Sequence, residues 1–151
     1  MQNLKILNSK EVKRILKLLN EQFGYEEKLE CVFLINKKFK VYIINRDISR
    51  VDLEALRIDS LGMYLGTYKN GFRPSIEGSQ IVGPKAKKNI LEITEEEMNK
   101  WLKGEDFNVD TELKGFVLVK HKNDFLGCGN IKEGELFNYV PKSRRLIIVN
   151  N

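Results

Sequence analysis

The chain has little of what staples, ligates or punctuates a protein. Cys31 and Cys128 are its two cysteines, too few for a disulfide framework or a cysteine metal site. Cys31 falls in an apolar strand pattern and Cys128 between two glycines, and packing is the default role of each. His121 is the one histidine. A Ser/His/Asp triad or a histidine metal centre would have to be assembled around it, and it reads instead as an exposed turn residue. Three prolines and eleven glycines in 151 residues exclude collagen-like or proline-rich low-complexity structure. No apolar run approaches the ~20 residues of a membrane span. Met1 to Gly24 alternates charged with apolar residues and has no signal-peptide core. Neither a P-loop nor a Gly-x-Gly-x-x-Gly fingerprint occurs. These absences lead to the expectation of a soluble, cytoplasmic protein with no metal, no cofactor and no membrane partner. At this length a chain buries roughly 68–70% of its unfolded surface, as one domain or two small ones.

Charge is plentiful and unevenly placed. Lys and Arg number 26 against 21 Asp and Glu. Residues 92–112 hold eight of the acids and two of the bases, so the rest of the chain is a basic body with 24 bases and 13 acids. Such asymmetry can present a positive face to a polyanion, although lysines also simply solubilise a surface.

Periodicity gives the coarse organisation. Val12, Ile15, Leu16, Leu19 and Phe23 form one face of an amphipathic helix, with Ser9 as its expected N-cap and Gly24 as its stop. Lys10, Lys13, Arg14, Lys17 and Glu21 occupy the other face. Glu30–Asn36 and Phe39–Ile44 read as a hairpin, 46–60 as a connector with a short helical piece, and Leu61–Tyr68 as a strand. Asn70-Gly71 signals a tight turn, and Pro74 assigns the segment after it to a sheet edge. Ser75–Val82 is a short helix, Asn89–Ile93 a strand, and Thr94-Glu95-Glu96-Glu97 a capping box with acids where the helix dipole favours them. Phe116–Lys120, Phe125–Ile131 and Arg144–Val149 complete a set of short strands that suggests a small, partly open barrel. The fold class expected is α+β: an N-terminal α/β domain over residues 1–72, then a small β pseudo-barrel over 73–151.

No catalytic constellation accompanies this pattern, and the acids 95–97 are a helix start rather than a paired-carboxylate site. The chemistry present is basic: Lys37, Lys38 and Lys40; Arg73; Lys85, Lys87 and Lys88 after Gly83-Pro84; and Lys142, Arg144 and Arg145 after Pro141. Loop lysines can reach a ligand, and arginine offers a planar fork to phosphate. As strand residues, Arg144 and Arg145 would point to opposite faces. Phe137 and Tyr139 lie nearby, either as core residues on one strand face or as platforms for unpaired bases.

Gly115-Phe116-Val117-Leu118-Val119 followed by Asp124-Phe125-Leu126-Gly127-Cys128-Gly129 resembles the late strands of the PUA domain, a small RNA-binding pseudo-barrel. Ser75-Ile76-Glu77-Gly78-Ser79-Gln80-Ile81-Val82-Gly83 looks like that family's first helix. The stretch from Leu65 to Ser75 is similar to the junction in Nip-seven-like ribosome-biogenesis factors, which pair an N-terminal α/β domain with a C-terminal PUA domain. Asn138-Tyr139-Val140-Pro141-Lys142-Ser143-Arg144-Arg145-Leu146 looks more like the PUA-like tail of RNA cytosine-C5 methyltransferases of the Nop/Sun class. No Pro-Cys dipeptide occurs, so the resemblance implies binding and not methylation. It implies a non-catalytic protein of ribosome biogenesis or RNA modification that engages structured rRNA or tRNA, with an RNA-modifying enzyme or ribosome-assembly protein as a further partner. Arg73, Lys85, Lys87, Lys88, Lys142, Arg144 and Arg145 would then meet phosphates, and Tyr139 would stack. The alternative is a protein–protein adaptor that docks an RNA-modifying enzyme or ribosomal protein through the acidic segment 92–112.

Overall fold

A computed structural model describes residues 4–45 and 62–146. The connector expected over 46–60 and positions 147–149 of the expected last strand lie outside these residues. Ten strands, β1 (Lys5–Ile6), β2 (Cys31–Ile35), β3 (Lys40–Asn45), β4 (Met63–Tyr68), β5 (Phe72–Pro74), β6 (Ile90–Glu92), β7 (Phe107–Asn108), β8 (Gly115–His121), β9 (Asp124–Lys132) and β10 (Glu135–Phe137), are described together with three helices, α1 (Ser9–Phe23), α2 (Ile76–Val82) and α3 (Glu95–Leu102).

The first sheet is an antiparallel meander in the order β1-β2-β3-β4-β5. Helix α1 forms on the expected apolar face, with Ile15, Leu19 and Phe23 buried. Its cap is Asn8 rather than Ser9: the Asn8 side chain accepts from the Glu11 N–H at 2.9 Å while the Glu11 carboxylate accepts from the Asn8 N–H at 3.3 Å. This reciprocal pair satisfies two otherwise orphaned donors and leaves Ser9 as the first helical residue. Gly24 ends the helix with φ +66, in the left-handed region where a side chain is disfavoured. Asn70 and Gly71 make the turn between β4 and β5, and β5, which contains Pro74, lies at the sheet edge as expected.

The second sheet runs β6-β8-β9-β10-β7 and curls into a half-barrel. Its one parallel pairing is β6 with β8, reached through α3. That helix carries the expected capping box, Thr94 with Glu97. Strand β8 separates two cores by simple alternation. Phe116 and Leu118 pack with α1 and the first sheet, in a cluster that includes Ile15, Leu19, Phe23, Leu65 and Phe72. Val117 and Val119 face the other way, into a cluster with Ile93, Trp101, Ile131 and Leu136. The period of two along a strand therefore makes one strand the wall of both cores.

The first core draws on both sides of Arg73. Gln22 of α1 ties the junction, accepting from the Phe72 N–H at 2.8 Å and donating to the Phe72 carbonyl at 2.7 Å. Two expectations need correction. His121 is the last residue of β8 rather than a turn residue; its ring Nδ1 lies 2.9 Å from the Ile93 carbonyl oxygen and it is half-buried. Lys142–Arg144 form a 3-10 turn, not the start of a strand, because Pro141 lacks a ladder donor and its carbonyl accepts the Arg144 N–H at 2.8 Å.

Candidate nucleic-acid interface

The Gly127-Cys128-Gly129 segment of β9 has a packing reason. Gly127 and Gly129 pair with Val119 and Val117 and so share the face that carries Trp101. A Cβ at Gly127 would lie 3.3 Å from the indole Cζ2, and one at Gly129 would lie 3.1 Å from its Cη2. The two glycines form a flat shelf for the Trp101 ring. Gly127 also has φ +148, a conformation that residues with a Cβ rarely adopt. Cys128 points to the opposite face, into the first core. Its burial pushes the thiol up to about 12, against the opposing effect of the Arg73 charge. At neutral pH it is a protonated, apolar packing group and not a thiolate nucleophile.

A cavity of about 220 Å³ opens beside this shelf, between β5, α2, α3, β9 and the segment after β10. Arg73, Tyr139 and Arg144 line it, with Lys40, Tyr64, Glu77 and Trp101. Arg73 arrives because Phe72 and Pro74 turn inward on β5 and leave the residue between them on the other face. Its guanidinium carbon lies 4.2 Å from the centre of the Tyr139 ring. Tyr139 is held on both sides. The Asn138 side chain donates to the Trp101 carbonyl at 2.7 Å and accepts from the Val140 N–H at 2.6 Å, and Val140 is buried. Tyr139 itself is 38% exposed, so its ring is a surface platform rather than a core residue. Arg144 meets Glu77 at 2.6 Å. Three cations and one carboxylate therefore surround the cavity.

The other sequence-predicted positions stand apart from this cavity. Lys85 closes a 3-10 turn after α2. The backbone N–H groups of Lys87 and Lys88 both donate to the Phe23 carbonyl, at 2.7 and 3.2 Å, so this basic loop docks on the C-terminal end of α1. The Lys87 ammonium bonds Glu26 at 2.8 Å and holds that exposed carboxyl below its ordinary value. Lys85 and Lys88 are exposed and form no ion pair with the described residues. Lys142 is exposed on its turn. Arg145 donates from Nε to the Val140 carbonyl at 3.0 Å and helps to hold the tail. Sequence reasoning missed Tyr64 and Trp101 as cavity residues. They fall in a strand and in the helix after the capping box, and nothing local shows that their edges border a cavity.

No helix among the described residues is long and apolar enough to cross a membrane. No curated protein matches the chain. Residues 88–146 match the family described as Methyltransferase RsmF PUA domain, which agrees with the expected resemblance to the PUA-like tail of RNA cytosine-C5 methyltransferases. The match is to the RNA-binding type of domain and not to the catalytic one. Residues 88–146 are therefore a PUA-like domain, set in a chain whose earlier residues add a second sheet and the α1 helix.

Proposed function

We propose that the protein binds structured rRNA or tRNA without catalysing a reaction on it, in ribosome biogenesis or in presenting RNA to a modifying enzyme. The observation that carries this reading is the PUA-like domain over residues 88–146. The cations beside it supply the contact chemistry. Arg73 and Arg144, with the exposed Lys85, Lys88 and Lys142, offer phosphate contacts, while Lys87 takes part as far as Glu26 releases it. Tyr139 offers a ring to an unpaired base, and Arg145 acts mainly by fixing the tail that carries that ring. The buried, protonated Cys128 supports a binding role rather than covalent chemistry.

The acidic segment supports an adaptor role less well. Glu92 accepts from the Lys122 N–H, Glu97 from the Thr94 N–H and Asp106 from the Asn138 N–H, at 2.8–2.9 Å. Three of its acids thus serve their own fold, and Glu95 and Glu96 sit exposed where the helix dipole favours them.

The test is a titration with total tRNA, rRNA fragments and a duplex DNA control across a salt series. Preference for structured RNA with a log–log salt slope of roughly −2 to −4 is expected from three to five phosphate contacts. Absence of binding at low salt would overturn the reading.

A further inference from the structure

We propose that the Trp101 cavity takes a single unpaired nucleobase, with an amino-bearing base favoured over uracil. This rests on the RNA-binding reading above and names what the cavity contributes to it. Three observations meet there. The first is an orphaned donor: Trp101 is 1% exposed and its Nε1–H has no hydrogen-bond partner among the described residues. A buried unpaired donor costs roughly 1–3 kcal/mol, so the fold retains a polar group that a ligand acceptor would satisfy. The indole's Nε1–Cζ2 edge faces the Gly127 wall of the cavity. It is closed to solvent, so a base acceptor meets it only if the cavity lining yields on binding.

The second is charge and shape. The cavity, at about 220 Å³, is smaller than the roughly 300–1,000 Å³ of sites for drug-sized ligands, which suits one base. Arg73 covers one face of Tyr139 at 4.2 Å, the ring is 38% exposed, and Lys40 and Arg73 line the cavity where the adjoining phosphate would lie.

The third is the Glu77 carboxylate. One oxygen accepts from Arg144 at 2.6 Å and Oε2 makes no hydrogen bond to the described residues. A carboxylate with spare acceptor capacity takes an exocyclic amine. Cytosine offers such an amine beside ring acceptors for the indole; uracil offers a carbonyl in that place, which the carboxylate repels.

Trp101 is the sole tryptophan, so its fluorescence reports on the cavity directly. The experiment titrates the full chain with single-stranded oligocytidine, oligouridine and an abasic phosphodiester oligomer of equal length. Binding of oligocytidine roughly 5-fold or more tighter than the abasic oligomer is expected from one stacked base, together with a saturable change in tryptophan emission. Oligouridine should bind more weakly than oligocytidine, and Glu77→Gln should erase that difference. Ile76→Phe, which fills the cavity wall, should abolish the emission change while circular dichroism confirms folding. Equal affinity for oligocytidine and the abasic oligomer would overturn the proposal. So would an unchanged emission on binding structured RNA, and in that case RNA binding itself would stand. If no nucleic acid binds, both readings fall together.

Discussion

The guanidinium of Arg73 lies over the ring of Tyr139, 4.2 Å from carbon to ring centre. One residue comes from the edge strand that joins the two halves of the chain, the other from the segment that follows the half-barrel. The contact joins a cation to an aromatic ring and places both in the lining of one cavity.

This pairing makes the two variants of Tyr139 diverge. Tyr139→Ala should weaken binding to single-stranded RNA by roughly 5-fold or more, and Tyr139→Phe should change it little because the ring face remains. Filter binding at fixed salt checks this. Equal loss in both variants would point to the hydroxyl and away from stacking.

The basic loop should separate its lysines by their neighbours. Lys85→Ala and Lys88→Ala should each flatten the salt slope by about 0.7–0.9. Lys87→Ala should flatten it less, because its ammonium is engaged with Glu26. Affinities measured across a salt series decide the order, and a larger effect at Lys87 than at Lys85 would contradict the geometry.

Cys128 should make stability fall at alkaline pH. The folded state holds the thiol proton to about 12 while the ordinary value is 9.0. Between those values the unfolded chain binds fewer protons, so stability declines as pH rises, by up to about 1.4 kcal/mol per unit. The contribution is fully present below pH 9. Urea midpoints of wild type and Cys128→Ala, compared from pH 8 to 11, should converge as pH rises. Tyr25, also pushed up by burial, acts in both proteins and cancels.

The boundary proposed between residues 72 and 73 should not yield two independent folding units. Leu118, Phe125 and Cys128 share a core with Ile15, Leu19 and Phe23. A fragment spanning 73–151 should lack a cooperative thermal transition, and Gln22→Ala should destabilise the whole chain by roughly 1–3 kcal/mol through the two unpaired Phe72 backbone groups. A sharp transition in the fragment would establish the boundary as a domain edge.

Local physics was legible in the residues themselves. The apolar stripe of α1, the capping box at Thr94, the Asn70-Gly71 turn and the edge position of Pro74 depend on neighbours within a few positions. The order of the short strands carried the PUA resemblance in the same way. What failed locally failed for local reasons that compete: Asn8 won the cap over Ser9 through Glu11, and Pro141 turned Lys142–Arg144 into a 3-10 turn against their strand-like neighbours.

The candidate site was legible only in part. Its charged residues stood out by type, but the sequence grouped Lys85, Lys87 and Lys88 with Arg73 and the tail, and the fold separates them. Arg73 meets Tyr139, and Trp101 borders the cavity, because β5, α3 and the tail converge on the glycine shelf of β9. Sequence alone determined the main helices, the longer strands and the Asn70-Gly71 turn, since hydrogen bonding and side-chain period act over a few residues. Which cations share a site, and which indole is left without an acceptor, was decided by packing between elements distant in the chain.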